Sequence, residues 1–328
     1  MSFLRRWSTP LRWSVTLGAL GLIASRVDWP RLGAQVALAD LRWVALSALL
    51  SVGVIFLMAV RWHCVLRACD LDVPLRATTA VTFIGQFFNG FLPGSTGGDV
   101  VKAWYASQWA PARRAAPAVS IFYDRLLAMI TLFVVTAITL GIQAMEQADL
   151  RWLFARFLYL AAGTLLLGLL ATFALPRVAR RLLEKYSQHC RLASDAARHF
   201  LTAFAISIPG HLVNCAAALC IARSVQLEVS FLQIAVAVAF VNCSSLLPVS
   251  IAGHGLREAG FIFIFGLYGL LGAEGVQGPV FEKVLAFSIL FYARSLASSL
   301  PGGFCYAAFR SRTTRAQPVP VPEFAPSS

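Results

Sequence analysis

Charged residues are scarce in this chain. They make up 13% of its 328 residues, whereas hydrophobic residues make up 58% and the mean hydropathy is +0.71. Soluble globular proteins carry about 25% charged residues, so this composition excludes an ordinary soluble enzyme. With apolar runs of membrane-spanning length, the chain is predicted to be an all-α, polytopic membrane protein.

Acidic residues are rarer than basic ones, with 15 Asp and Glu against 28 Lys and Arg and a formal net charge of +13. In a soluble protein this excess would indicate nucleic acid. Here the basic residues lie mostly in short loops between apolar runs, where they indicate membrane orientation and contacts with anionic lipid head groups. We therefore predict membrane lipids as partners and no nucleic acid.

Paired metal or disulfide ligands are also missing. The seven cysteines are an odd number and show no C-x-x-C spacing, so neither a disulfide framework nor a zinc site is predicted. Gly94-Ser-Thr-Gly-Gly98 has no following Gly-Lys-Ser/Thr and no preceding strand, which excludes a nucleotide P-loop. No cofactor or metal is predicted.

The apolar runs predict about six full transmembrane helices and two broken or re-entrant helical hairpins. The full spans are predicted at residues 13–25, 43–60, 118–143, 152–175, 200–222 and 280–300. Arg61-Trp62 is interpreted as an interfacial anchor, and residues 26–42 as a polar stretch. Residues 177–199 are predicted to form an amphipathic helix on the bilayer surface, and residues 311–328 a disordered tail.

Two polar, glycine-rich breaks interrupt the apolar segments, and they match each other in sequence. The first runs from Asn89 to Lys102 and the second from Ser244 to Glu258. The aligned pairs are Leu92 with Leu247, Pro93 with Pro248, Ser95 with Ser250, Gly98 with Gly253, and Lys102 with Arg257. Such backbone cannot face lipid, because each unsatisfied group costs several kcal/mol there, so both breaks must line a cavity or pack inside protein.

The distribution of basic residues favours a cytoplasmic N-terminus and C-terminus. With that orientation, the first broken hairpin enters from the cytoplasm and the second from outside. This predicts a pseudo-symmetric inverted repeat, with halves at about residues 43–143 and 200–303, inside one transmembrane domain at residues 1–310. In transporters, such paired broken helices surround a site near the membrane midplane.

The candidate site residues lie in or beside the breaks, or are charged residues inside apolar runs. They are Asn89, Pro93, Gly97, Gly98, Asp99, Lys102, Asp124, Arg125, Pro248, Gly253, His254, Gly255, Arg257, Glu258, Glu282 and Arg294. Ionisable residues at membrane depth cost at least about 2.5 kcal/mol each, so they face one another or a wet cavity. Adjacent charges on a helix point about 100° apart, so we expect each to pair with another helix or a ligand. The alternative is a set of ion pairs that only fix helix packing.

Two smaller patterns suggest other chemistry. His254 and Glu258 have the i, i+4 spacing of a metal or proton-relay pair, but no third ligand is nearby. Asp70-Leu-Asp72 has the spacing of the carboxylates with which glycosyltransferases hold a metal-bound sugar nucleotide. Because it lies in a short loop without an α/β domain, a solvated loop is favoured.

The motifs, in this order and spacing, resemble the lysylphosphatidylglycerol synthase transmembrane region family, a flippase-like membrane domain of bacteria and archaea. The matching residues are Arg61-Trp62, Leu92-Pro93, Gly97-Gly98-Asp99, Asp124-Arg125, Leu247-Pro248, Gly253-x-Gly255-x-Arg257-Glu258, Tyr292-x-Arg294 and Leu300-Pro301. Lys102 stands where the family pattern has Arg, and Asp124 where Glu is usual; both changes preserve the charge.

The resemblance implies an inner-membrane translocase of an anionic phospholipid, a glycolipid or a lipid-linked sugar. Aminoacyl transfer in such proteins belongs to a soluble C-terminal domain, which we do not expect here because a polar tail follows the last span. The alternatives are a membrane-embedded transferase and a non-catalytic accessory subunit in lipid or lipid-linked glycan metabolism. A homo-oligomer or a lipid-biosynthesis enzyme is a possible partner.

Overall fold

The computed structural model describes residues 18, 21, 24–91, 97–113, 116–146, 151–152, 154–159, 163, 192–245, 255–272, 275 and 278–315. Within these ranges the protein is helical and contains no strand, which confirms the predicted all-α class. The predicted spans at 13–25 and 152–175 and the amphipathic segment at 177–199 fall mostly outside the described residues.

The described helices form two series with the same order. After a short helix α1, the first series consists of α2, α3, α4 and α5, and the second of α6, α7, α8 and α9. Their bounds are α1 Trp29–Ala37, α2 Leu41–Ala68, α3 Leu75–Phe91, α4 Gly97–Trp109, α5 Ala116–Glu146, α6 Ala196–Ser224, α7 Phe231–Ser245, α8 Leu256–Leu267 and α9 Pro279–Arg315. In each series two short helices lie between two long ones, and a break separates the short pair.

Contacts between helices repeat in the same way. In each series the two short helices pack on each other, and the last long helix packs on the first two helices of the other series: α5 on α6 and α7, and α9 on α2 and α3. The backbone N–H of Asp40 donates to the carbonyl of Ser224, and that of Ala193 to the carbonyl of Ala68. These bonds join opposite ends, so α2 and α6 run antiparallel. An inverted repeat requires this relation between its first helices; inversion of the remaining helices stays a prediction.

Four helices are long and apolar enough to cross a membrane, judged over the described residues by length and composition. They are α2, α5, α6 and α9, the long helices of the two series. The chain is therefore a multi-pass membrane protein, although the number of spans remains a prediction. Of the described shorter helices, α7 is also strongly apolar.

Several boundaries differ from the sequence predictions. Helix α2 does not end at Val60 but continues to Ala68, so Arg61-Trp62 lies inside it; both side chains are buried, and their interpretation as an interfacial anchor is wrong. Arg61 is buried there because it pairs with Asp124 on another helix. Residues 29–37 form α1 within the stretch interpreted as polar. Helix α9 passes through Pro301 to Arg315, so residues 311–315 are helical rather than disordered.

Local capping explains where the first helices begin. The Asp28 carboxylate accepts from the backbone N–H of Arg31, and Pro30 stands in the first turn of α1, where its missing N–H is not needed. The Asp40 carboxylate accepts from the N–H of Arg42 at 2.8 Å and starts α2. These caps place the starts of α1 and α2 within the stretch of residues 26–42.

Two apolar clusters surround the two hairpins. One contains Trp62, Leu66 and Ile84 beside α3 and α4, and the other contains Phe261 and Phe287 beside α7 and α8. Burial of large side chains around each break holds the short helices against the long ones. This packing fixes the positions of the charged residues described next.

Candidate functional site

The first hairpin, α3 and α4, has the two helices in direct backbone contact. A Cβ atom on Gly98 would overlap the carbonyl oxygen of Gly85, so only glycine fits there. The Asn89 side chain accepts from the N–H of Gly98 at 2.8 Å and thereby caps the start of α4. Gly98 and the Asn89 side chain therefore hold the end of α3 against the start of α4.

Two ion pairs connect this hairpin region to the long helices. Arg61 of α2 holds Asp124 of α5 through two hydrogen bonds, Nε to Oδ1 at 2.7 Å and Nη2 to Oδ2 at 3.0 Å, and both residues are buried. Arg125 of α5 reaches Asp99 of α4, with Nη2 to Oδ2 at 2.7 Å, and its side chain is 47% exposed. Neighbouring Asp124 and Arg125 thus pair with different helices, as we expected.

Lys102 is the additional cation of this cluster. It lies one turn beyond Gly98 in α4, is 6% exposed, and places its ammonium 4.2 Å from the centre of the Trp62 ring. Asp124 and Asp99 are within electrostatic range of Lys102, but each already pairs with an arginine. The described part of the chain provides no carboxylate in contact with the ammonium. The cluster therefore carries one uncompensated positive charge.

The second hairpin, α7 and α8, is built differently at its equivalent position. Gly255 has φ +80, a conformation that favours glycine, and its N–H donates to the Glu258 carboxylate at 2.7 Å. Arg257 donates to the same carboxylate, and the Ser288 hydroxyl lies 3.4 Å away. We expected adjacent charges to pair elsewhere, and for Arg257 and Glu258 this is wrong. Glu258 folds back to the start of α8, where the Arg257 side chain can reach it.

Tyr292 of α9 connects the two hairpins. The Arg257 guanidinium lies 4.6 Å from the centre of its ring, which is a cation–π contact. Its hydroxyl donates to the carbonyl of Gly90, in the last turn of α3, over a long 3.4 Å. A single side chain thus touches the charged residue of the second hairpin and the backbone of the first.

Arg294 and Glu282 lie apart from these pairs although they share α9. Arg294 is 4% exposed and donates to the Ser51 hydroxyl at 2.8 Å and to the Asn214 amide oxygen at 3.0 Å. Glu282 is also buried, and its Oε2 has no hydrogen-bond partner in the described structure. Twelve residues of helix separate the two, about 18 Å along the axis, so Glu282 does not neutralise Arg294.

The structure therefore places the predicted site residues in separate groups. It brings together Asn89, Gly97, Gly98, Asp99, Lys102, Asp124 and Arg125 at the first hairpin, and Gly255, Arg257 and Glu258 at the second. Arg294 instead donates to Ser51 and Asn214, and the Glu282 Oε2 has no hydrogen-bond partner among the described residues. Pro93, Pro248, Gly253 and His254 lie outside the described residues.

Sequence reasoning missed several residues that contact these charges, among them Arg61, Ser51 and Asn214. Arg61 was interpreted as an anchor, but the apolar residues that follow it up to Leu66 indicated a helix that continues into the protein. Ser51 and Asn214 are neutral residues inside apolar runs, and only Asn214 stands out in sequence, since a lone amide in a membrane helix is rare.

A groove of about 440 Å³ opens between α2, α3 and α9. Its walls are mostly apolar, with Arg76 in the first turn of α3 as its charged residue; the lining is Phe56, Leu75, Arg76, Thr79, Ala80, Phe83, Pro301 and Cys305. The carboxylates of Asp70 and Asp72, which have the spacing of a glycosyltransferase metal site, form ion pairs in the structure. Asp70 pairs with Arg113 and Asp72 with Arg67, each at 3.2 Å.

Together these features define a polytopic integral membrane protein with two pairs of short helices that hold buried charges between long apolar helices. Residues 11–293 match the lysylphosphatidylglycerol synthase TM region family, and the chain belongs to this family. No curated protein matches the chain. The family and the apolar helices support an integral membrane protein in lipid metabolism.

Proposed function

We propose that the protein is a translocase of the inner membrane that moves an anionic phospholipid, a glycolipid or a lipid-linked sugar between leaflets, with both termini in the cytoplasm. The observation that carries this proposal is Lys102. It is a buried lysine in the second turn of α4, and no described carboxylate contacts it. A buried charge without a partner is costly, and an anionic ligand would remove that cost.

The surroundings of Lys102 favour a transient anion over a permanent one. Asp124 and Asp99 are each held by an arginine, so neither is available to neutralise the ammonium permanently. The first turn of α4 adds the positive end of a helix of 13 residues, where backbone N–H groups attract phosphate. A head-group phosphate at this position would balance the cluster, and its departure would restore the positive charge.

The groove between α2, α3 and α9 suits the other end of such a substrate. Its apolar walls would contact an acyl or polyprenyl chain, and Arg76 at the start of α3 would attract the anionic head group. A lipid translocase needs this separation, because the head group crosses through protein while the tails remain in hydrocarbon. The two series of helices, each with a broken hairpin, also agree with the architecture of transporters.

The experiment compares Lys102→Met and Lys102→Arg in liposomes that contain phosphatidylglycerol or a polyprenyl-phosphate sugar. Purified wild-type protein should accelerate exchange of one of these lipids between leaflets without changing its mass. Lys102→Met should slow that exchange by about tenfold or more, because a charge-assisted contact is lost. Its thermal stability in detergent should not fall, because the buried charge is removed with it. Lys102→Arg should keep part of the activity.

The control is Arg67→Met, which removes an exposed cation on α2 that pairs with Asp72 and should leave exchange unchanged. Full exchange by Lys102→Met would remove the proposed role of this residue. A covalent lipid product made by the chain alone would replace the translocase with a membrane-embedded transferase. No exchange of any anionic lipid by wild-type protein, with activity restored by a second protein, would indicate an accessory subunit.

A further inference from the structure

Arg294 lies where the two series of helices meet. It belongs to α9, and it donates to Ser51 of α2 and Asn214 of α6, so one guanidinium joins three helices. The face of Phe291 lies 4.3 Å from it on its own helix. We call Ser51, Asn214 and Arg294 the seam site. It is a different place from the hairpin cluster around Lys102, because none of its contacts involves α3 or α4.

The seam site lacks an anion. Arg61 is neutralised by Asp124, and Arg257 by Glu258, whereas Arg294 contacts only neutral oxygen atoms among the described residues. Hydroxyl and amide oxygens offset only part of the cost of a buried guanidinium. Among the described residues, Arg294 therefore has no carboxylate that would neutralise its positive charge.

Donor groups at the seam site are also unused. The Nε of Arg294 is buried and has no hydrogen-bond partner in the described structure. The Oδ1 of Asn214 is occupied by Arg294, and no described group accepts from its Nδ2. The Ser51 hydroxyl already donates to the carbonyl of Ser47 at 2.8 Å, so it offers only an acceptor. An anion with several oxygen atoms would satisfy both unused donors and the charge.

We propose that the seam site binds the phosphate of the transported lipid as a second binding position, separate from the one at Lys102. A tetrahedral phosphate offers more acceptor oxygens than a carboxylate, and a guanidinium recognises two of them at once. This inference depends on the proposed translocase function and specifies where the head group binds after it leaves the hairpin. The shared chemistry is a phosphate ester, in a glycerophospholipid or a polyprenyl phosphate.

Binding at the seam site also requires movement between the two series. Arg294 is nearly inaccessible, whereas Asn214 is only partly buried, so an anion would approach along α6 and displace the neutral contact to Ser51. That contact joins α2 of one series to α9 of the other. Its replacement by phosphate would couple ligand binding to the separation of the series, as alternating access requires.

The test uses Asn214→Asp, which places a carboxylate on the present partner of Arg294. If Arg294 lacks an anion, the new carboxylate should neutralise it, and the melting temperature in detergent should equal or exceed that of wild type. Because the carboxylate then competes with phosphate, binding of phosphatidylglycerol or of a polyprenyl phosphate, measured separately, should weaken about tenfold or more. The lipid that loses affinity identifies the source of the phosphate. Gln108→Glu adds the same charge at an exposed position of α4 and should change neither quantity.

Each other result contradicts the inference. Unchanged lipid binding by Asn214→Asp would show that Arg294 only ties three helices together. A fall in the melting temperature of this variant would show that Arg294 has no need of an anion. If wild-type protein binds and moves neither lipid, the proposed function itself fails; if wild type is active and Asn214→Asp is equally active, only the seam site fails.

Discussion

The Arg61 guanidinium and the Asp124 carboxylate form a buried, two-bond ion pair between α2 and α5, with donor–acceptor distances of 2.7 and 3.0 Å. Next to it, the Trp62 indole donates to the Ser120 hydroxyl at 3.1 Å. These contacts hold α2, the first helix of the first series, against α5, the last helix of that series. The Lys102 ammonium contacts the Trp62 ring, so the Arg61–Asp124 pair also helps to position the proposed phosphate site.

We predict that removing one member of this pair lowers the stability of the protein far more than removing both. Arg61→Ala or Asp124→Ala leaves the other member of the pair buried without its hydrogen-bonded partner and should lower stability by about 3 to 5 kcal/mol. The double variant should recover much of that loss, since neither member of the pair is left without its partner. Thermal unfolding in detergent measures all three. Arg67→Ala, which breaks an exposed pair, is the matched control and should change stability by about 1 kcal/mol or less. Additive losses in the double variant would contradict the pair.

The contact of Gly98 with Gly85 predicts a strict requirement for glycine. In Gly98→Ala the added methyl group meets the carbonyl of Gly85, so α3 and α4 must separate and the Asn89 cap must break. We expect low yield or a strongly lowered melting temperature. Gly53→Ala is the control, because nothing lies within 4 Å of its Cβ position in α2. Gly53→Ala should leave the melting temperature unchanged or raise it. A Gly98→Ala protein as stable as wild type would show that the hairpin is open in the membrane.

The antiparallel arrangement of α2 and α6 predicts which loops share a side of the membrane. Asp72 follows the C-terminus of α2 and Glu228 follows the C-terminus of α6, so they should lie on opposite sides. In a variant without the seven native cysteines, Glu228→Cys should react with an impermeant maleimide in spheroplasts and Asp72→Cys should not. The reverse result would invert the orientation, and labelling of both would contradict the antiparallel crossing.

Composition and break positions by themselves determined the class of protein and the places where its helices stop. Lipid offers no hydrogen bonds to the backbone, so apolar runs must be helical and glycine-rich polar breaks must turn inward. The described part of α3 extends to Phe91 and that of α7 to Ser245, and α4 begins at Gly97. The matching spacing around Lys102 and Arg257 likewise predicted two hairpins, and in the structure α3 packs on α4 and α7 packs on α8.

Only the tertiary structure decided which charges meet. A membrane helix is apolar on the faces toward lipid and toward protein alike, so its sequence does not reveal which face turns inward. Arg61 therefore pairs with Asp124, 63 residues away, while Arg257 pairs with its neighbour Glu258. Arg294 pairs with neither, because helix packing places Ser51 and Asn214 beside it. Helix rotation and interhelical distance set these partners, and both depend on packing across the whole bundle.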